Sequence, residues 1–182
     1  MDHRMFVAVR PPEHVTQALA DFLEPRTGMP WIDPAQWHVT LAFMRSVPDA
    51  DVDELVDRLG AASTRVQPFE AVVRGAGTFP APERASVLWL RVLPDEPLRR
   101  LAASARAAAN ASGAPPDGKA FVPHLTLARL RRPIEATKWL RVLDTFGSPP
   151  WRVEEIELIE SHLGEGPRRR PRHETVAAVR LG

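Results

Sequence analysis

Two short motifs carry residue types that could do chemistry. Residues 38–42 read His-Val-Thr-Leu-Ala, and residues 124–128 read His-Leu-Thr-Leu-Ala. In a β-strand, residues i and i+2 project to the same face, so each motif would present one imidazole beside one hydroxyl. If the two strands face each other across a groove, two imidazoles and two hydroxyls surround one small anionic group.

This set of side chains suits in-line attack on a phosphodiester. One neutral imidazole takes a proton from water, and one imidazolium gives a proton to the departing oxygen. The hydroxyls of Thr40 and Thr126 are candidates to hold the non-bridging oxygens. A single His-x-Thr pair is usually an ordinary polar pair on a sheet, whereas two in equivalent positions favour catalysis by His38 and His124. Two imidazoles acting in this way predict a bell-shaped pH dependence around neutrality.

Composition narrows the kind of protein and the kind of site. The chain has 182 residues, of which 44% are hydrophobic and 26% charged, as expected for one folded domain over residues 1–182 with approximate halves 1–80 and 81–182. It has no cysteine, which excludes disulfides, thiolate nucleophiles and cysteine-rich zinc sites. No Asp, Glu or Cys accompanies either motif at ligand spacing, so we expect no metal and no cofactor in the reaction.

Location and partners follow from what the chain lacks. It does not start with a basic segment followed by a long apolar stretch, and no apolar run approaches the roughly 20 residues that cross a bilayer. We therefore expect a cytoplasmic protein that makes no membrane contact. We also expect a monomer.

The hydrophobic pattern repeats the order β-α-β-α-β twice, with one His-x-Thr strand at the centre of each unit. Residues 75–84, with two prolines, are expected to form the crossover between the halves, and the basic run 168–172 a loop or hairpin. We predict an α+β fold with two pseudosymmetric lobes around a central groove, each a largely antiparallel sheet with helices on its outer side. The predicted strands are 4–9, 37–44, 68–74, 86–92, 124–130, 153–159 and 176–181, and the predicted helices are 13–23, 51–59, 97–111 and 134–143.

At these motifs the chain resembles the RNA 2′,3′-cyclic phosphodiesterases, the LigT-like branch of the two-histidine (2H) phosphoesterase superfamily. The resemblance spans most of the chain. It departs from the family pattern at Met44-Arg45, where Leu-Gly is common, and at His173, where a Tyr is usual. The similar segments are the opening strand 4–12, the first motif 37–43, the second motif 121–129 and the closing strand 158–163.

The resemblance implies hydrolysis of 2′,3′-cyclic phosphate ends of RNA or oligonucleotides. The product would be a 2′-phosphomonoester with the 3′-oxygen leaving, and some relatives also join RNA ends reversibly through a 2′,5′ linkage. By the same resemblance His124 would be the proton acceptor that activates water, and His38 the proton donor to the leaving oxygen.

Other residues near the motifs have two interpretations each. Phe121 could stack on a nucleobase or pack in the core. Arg129 and Phe43 have the wrong parity to share a face with the motif histidines in a regular strand, so Phe43 is predicted to be core unless a bulge turns it, while Arg129 remains a candidate phosphate contact. The run 168–172 could follow an RNA backbone or be a solvated face. The lone residues His3, His14 and His162 are predicted to be ordinary surface or packing residues.

Two alternatives stay open at this point. The same histidine pair could act on a cyclic phosphate of another small nucleotide, such as an ADP-ribose derivative. The groove could instead belong to a nucleotide- or RNA-binding module without turnover.

Overall fold

The computed structural model describes residues 1–182. It contains eight strands, four helices and three short 3-10 turns. The helices are α1 (Glu13–Leu23), α2 (Val52–Ser63), α3 (Asp95–Ala111) and α4 (Thr137–Leu143). The strands are β1 (Asp2–Val9), β2 (Val39–Pro48), β3 (Phe69–Ala81), β4 (Arg84–Leu93), β5 (His124–Ile134), β6 (Trp151–Val153), β7 (Glu155–His162) and β8 (Arg172–Arg180).

The predicted order β-α-β-α-β is present twice, as β1-α1-β2-α2-β3 and β4-α3-β5-α4-β6, and β7 and β8 follow. The strand predicted at 153–159 is divided between β6 and β7. The crossover predicted at residues 75–84 is wrong, because β3 continues to Ala81 and returns into β4 after two residues. Pro80 is tolerated there because β6 pairs with β3 only at residues 69–71, which leaves the rest of β3 largely at the sheet edge.

All eight strands form one antiparallel sheet in the order β6-β3-β4-β5-β2-β1-β7-β8. One lobe contains β1, β2, β7 and β8, and the other contains β3 to β6. The pair Val39–Leu125 between β2 and β5 joins them. A division at residue 80 does not separate the lobes, because β3 leaves the first repeat to pair with β4, whereas β7 returns to pair with β1.

The helices cover one face of this sheet. Their apolar stripes have the spacing of an amphipathic helix, and in α1 the residues that the spacing selects, Val15, Leu19 and Leu23, are buried. The main core of 39 buried residues lies between the helices and the sheet. A second, small cluster of Phe6, Ala8 and Ile159 lies on the opposite face, which is the groove. None of the helices is long and apolar enough to span a membrane.

Candidate active site

The two His-x-Thr motifs meet where the lobes join. His38 directly precedes β2, and His124 is the first residue of β5. Val39 pairs with Leu125 in antiparallel register, so His38 lies opposite Thr126 and Thr40 opposite His124. Val39 and Leu125 are fully buried in the main core, and alternation therefore turns the imidazoles and hydroxyls of both motifs to the groove face.

Each imidazole is held by the same backbone hydrogen bond. The Nδ1 of His38 donates to the carbonyl of Gln36 at 2.7 Å, and the Nδ1 of His124 donates to the carbonyl of Val122 at 2.6 Å. A carbonyl only accepts, so Nδ1 carries the hydrogen in both rings. Nε2 is then the nitrogen that exchanges a proton in the groove.

Aromatic rings enclose both imidazoles. One of these rings, that of Trp89, packs directly on Gly77: a Cβ atom at residue 77 would lie 2.2 Å from the ring. Rings from neighbouring strands shield the imidazoles from water on their flanks and restrict their orientation. Centroid distances are 4.6 Å from His38 to Phe6 and 5.7 Å to His173, and 5.1 Å from His124 to Phe79 and 5.6 Å to Trp89.

This enclosure makes both imidazoles weaker bases. Burial lowers the pKa of His38 from its ordinary value of 6.5 to about 4, with His173 and Arg129 acting in the same direction. Burial also lowers the pKa of His124, and the charges of Arg129 and Arg91 add to that effect. Near neutral pH both rings are therefore uncharged in the free protein.

A β-bulge follows the threonine in each motif. In β2 the register passes from Thr40 to Ala42 and leaves Leu41 as an extra residue, and in β5 it passes from Thr126 to Ala128 and leaves Leu127. An extra residue reverses the alternation of the side chains that follow it. The two bulges occupy the same position in the two lobes. In each lobe, the residue five positions after the motif histidine therefore changes face.

The bulges bring Phe43 and Arg129 to the groove face. Phe43 packs against the small cluster that contains Phe6, and the Arg4 guanidinium lies 4.4 Å from its ring centre. The prediction that Phe43 belongs to the main core is therefore wrong, for the reason that a bulge turns it. Arg129 is near enough to lower the pKa of both motif histidines, and burial lowers its own pKa.

The other predicted contacts lie further from the centre of the groove. Phe121 is half-buried against the main core, and the guanidinium of Arg99 lies 5.8 Å from its ring centre. The basic run follows the prediction of a hairpin, since residues 163–171 connect β7 to β8. The carbonyl of Pro171 accepts a 2.7 Å hydrogen bond from Gln36, which links this loop to the segment that positions His38.

Sequence reasoning missed two arginines beside the motifs. Arg10 follows β1 and contributes to the low pKa of His38, and Arg91 pairs in register with His124 and contributes to its low pKa. Arg10 lies directly after β1 and Arg91 lies within β4, at corresponding positions beside the two motifs. This correspondence between the first strands of the two repeats is the signal that the sequence offers for them.

Comparison with known proteins places this geometry in a family. The model of the 2′-5′ RNA ligase superfamily matches residues 10–165. The RNA 2′,3′-cyclic phosphodiesterase of Thermus thermophilus is 33% identical over 170 residues, which cover 88% of this chain and 82% of that protein. The enzyme of the same name from Geobacillus stearothermophilus is 28% identical over 97% of this chain, which spans 56% of that protein's length. The crystal structure of Escherichia coli LigT in its apo form has a TM-score of 0.76 at 25% identity and covers 99% of this chain and 98% of LigT.

Proposed function

Because the chain belongs to the 2′-5′ RNA ligase superfamily, we propose that it hydrolyses the 2′,3′-cyclic phosphate at the end of an RNA or oligonucleotide to a 2′-phosphomonoester. One observation carries this proposal. The two His-x-Thr motifs turn two Nε2 atoms and two hydroxyls to one face of the sheet at the junction of the lobes.

In the proposed reaction, Nε2 of His124 takes a proton from water, whose oxygen forms a bond to phosphorus. The bond from phosphorus to the 3′-oxygen breaks, and Nε2 of His38 gives its proton to that oxygen. Thr40 and Thr126 donate hydrogen bonds to the non-bridging oxygens, where negative charge develops. The guanidinium of Arg129 adds a positive charge on the same face.

The low pKa values fit this scheme if the substrate supplies the missing proton affinity. The reaction needs a proton on Nε2 of one of the two histidines, whereas in the free protein near neutrality neither Nε2 carries one. A cyclic phosphate carries one negative charge, which favours the protonated form of an imidazole beside it. Binding of the substrate and uptake of the catalytic proton are therefore coupled.

Incubation with a nucleoside 2′,3′-cyclic phosphate in EDTA tests the proposal directly. We expect the 2′-phosphomonoester as product and loss of turnover in the His38→Ala, His124→Ala double variant. His14→Ala, which changes an exposed histidine of α1, is the matched control and should retain activity. Turnover that requires added metal, or that survives in the double variant, would overturn the mechanism.

The division of roles can be tested with a cyclic substrate whose 3′-bridging atom is sulfur. A thiolate leaves without a proton, so a protein that lacks only its proton donor should regain activity on this substrate. We expect recovery in His38→Ala and none in His124→Ala. The reverse pattern would exchange the two roles.

An RNA end is favoured over a free small nucleotide by a cavity beside the segment that positions His38. The cavity has a volume of about 700 Å³, and its lining contains three cations, Arg26, Arg168 and Arg170, against two carboxylates, Glu24 and Asp33. Further phosphates of a strand could bind there through these cations. Higher kcat/KM for an oligonucleotide than for a nucleoside 2′,3′-cyclic phosphate, reduced by Arg168→Gln and Arg170→Gln, is the expected result. Equal rates would favour the small-nucleotide alternative, and binding of AMP or CMP without any hydrolysis would favour the binding module.

Three finer expectations belong to the same proposal: reversible 2′,5′ ligation, a cytoplasmic location and a monomeric state. Ligation is tested by mixing a 2′,3′-cyclic phosphate end with a 5′-hydroxyl end and analysing the linkage. Fractionation of cells and light scattering of the pure protein test location and mass.

A further inference from the structure

A second group of histidine and carboxylate side chains lies behind the groove, where β7 and β8 pair. Glu160 stands directly opposite Glu174 in the register of these strands, and His162 is two residues further along β7. Glu160 also pairs with Met5, a residue of the main core. Alternation therefore puts this group on the helix side of the sheet, away from the catalytic motifs.

The three ligand atoms lie within 4.8 Å of one another, and two of the distances between them are close to those around a zinc ion. The Nε2 of His162 lies 3.7 Å from Oε2 of Glu160 and 3.1 Å from Oε2 of Glu174. Tetrahedral Zn²⁺ with bonds of about 2.0–2.1 Å spaces its ligand atoms about 3.4 Å apart. One Nε2–H can satisfy only one of the two oxygens, whereas a cation between the three atoms would satisfy all of them.

The neighbours of the group fit the orientation that a metal ion requires. Without an ion, the Nε2 of His162 donates a hydrogen bond to Glu174. When Nε2 binds an ion the ring hydrogen must sit on Nδ1, and Oε2 of Glu165 lies 3.2 Å from Nδ1, where it can accept from it. His3 Nδ1 lies 2.6 Å from Oε1 of Glu160 and occupies the carboxylate oxygen that faces away from His162. Carboxylates and imidazoles that orient the ligands in this way are typical of protein metal sites.

The charge balance also favours a cation. Four carboxylates come together here, those of Glu160, Glu165, Glu174 and Asp49. Arg172 lies 3.3 Å from Glu165 and 3.4 Å from the same oxygen of Glu174 that faces His162. His3 lies 2.6 Å from Glu160 and 2.8 Å from Asp49. These two side chains offset only part of the negative charge. A divalent ion would share that oxygen of Glu174 with Arg172 and complete the neutralisation.

We infer that Glu160, His162 and Glu174 bind a divalent transition-metal ion of the Zn²⁺ type, with water as the fourth ligand. A nitrogen and two oxygens as ligands suit Zn²⁺ better than Mg²⁺. The ion would fasten the edge strand β8 to β7. His173, the neighbour of Glu174, projects to the groove and packs on His38, so the ion would secure the strand that presents this ring. The inference is independent of the proposed reaction, which needs no metal.

Calorimetric titration of the chelator-treated and dialysed protein with ZnCl₂ tests the site. We expect one saturable site per chain, no comparable binding of MgCl₂, and a higher unfolding temperature with Zn²⁺. His162→Ala and Glu174→Gln should each weaken binding more than tenfold, and Glu165→Gln by about tenfold through the lost support of His162. His14→Ala is the control and should bind as the unchanged protein does.

Two results would overturn the inference. The first is the absence of saturable binding at equimolar zinc, or equal binding by His162→Ala. The second is loss of binding in the His38→Ala, His124→Ala double variant, since the groove imidazoles would then be the ligands. Retention of the site in that double variant supports it, and because the readout is binding rather than turnover, failure here is separate from failure of the proposed activity.

Discussion

Binding of an anionic phosphate between the two motifs should restore the proton affinity that burial removes from His38. In the free protein burial lowers the pKa of this imidazole from 6.5 to about 4. A unit negative charge about 4 Å away, at an effective dielectric constant of about 20, stabilises the imidazolium by about 4 kcal/mol. This corresponds to a rise of about 3 in pKa. The pKa of His38 in the complex is thus expected near 7.

Two pH profiles report these two states separately. The profile of kcat/KM reports the free protein, and that of kcat reports the complex with substrate. Because burial lowers the pKa of both histidines, we expect the kcat/KM profile to be centred below pH 6.5 and the kcat profile to lie at distinctly higher pH. The bell around neutrality that the motifs alone predict then applies to the complex. The pair titrates as a unit, so the fitted values belong to both histidines.

Nuclear magnetic resonance gives the site-specific measurement. The imidazole signal of His38, identified by its absence in His38→Gln, should titrate near pH 4 alone and near pH 7 with saturating inorganic phosphate. As the control, the imidazole signal of the exposed His14 should not move when phosphate is added at constant pH. If His38 of the free protein titrates near 6.5, or phosphate leaves its pKa unchanged, the electrostatic reasoning fails.

Three further outcomes are expected. Gly77→Ala should lower the free energy of unfolding by roughly 1–3 kcal/mol and reduce kcat/KM, because the added Cβ would collide with Trp89. Thermal unfolding measures this loss, with Gly118→Ala as the control because a Cβ at residue 118 meets no atom within 4 Å. Equal effects of the two substitutions would contradict the prediction. Arg129→Gln should raise the pKa of both motif histidines, which proton resonances can measure. It should also weaken phosphate binding about tenfold, which titration calorimetry can measure. Unchanged phosphate affinity would show that Arg129 does not contact the phosphate. His3→Gln should lower the free energy of unfolding below about pH 6.5 and have progressively less effect above it. Hydrogen bonds to two carboxylates raise the pKa of His3, and the stabilisation they provide is lost as pH rises through that raised pKa. Urea unfolding of both proteins from pH 5 to 9 tests this, and a difference that stays constant with pH would refute it.

The sequence predicted the elements well and the connections between lobes poorly. The predicted helix at residues 13–23 is α1, since its apolar spacing is regular and two prolines, Pro11 and Pro12, precede its first turn. The antiparallel lobes with outer helices follow from the repeated order. The exchange of β3 and β7 between lobes leaves no mark in local propensity, because it depends on which strand edges remain unpaired after each lobe folds.

The residues of the candidate site were likewise predicted only in part. Types and spacing placed His38, Thr40, His124 and Thr126 on one face, because alternation is reliable over two residues. Alternation over five residues failed at Arg129, because one extra residue at Leu127 reverses it. A bulge depends on the partner strand, so the motif's own sequence does not reveal it.

The two bulges also explain how a site with equivalent motifs can assign different roles to its histidines. They turn corresponding residues into the groove, yet these residues are Phe43 in one lobe and Arg129 in the other. An aromatic ring offers a stacking surface for a base, and a guanidinium offers charge to a phosphate. In the proposed reaction a nucleotide that satisfies both would bind in one orientation, with its 2′- and 3′-oxygens directed towards different imidazoles. The proposed roles of acid and base would then follow from the residues that the bulges present, rather than from the His-x-Thr motifs, which are alike.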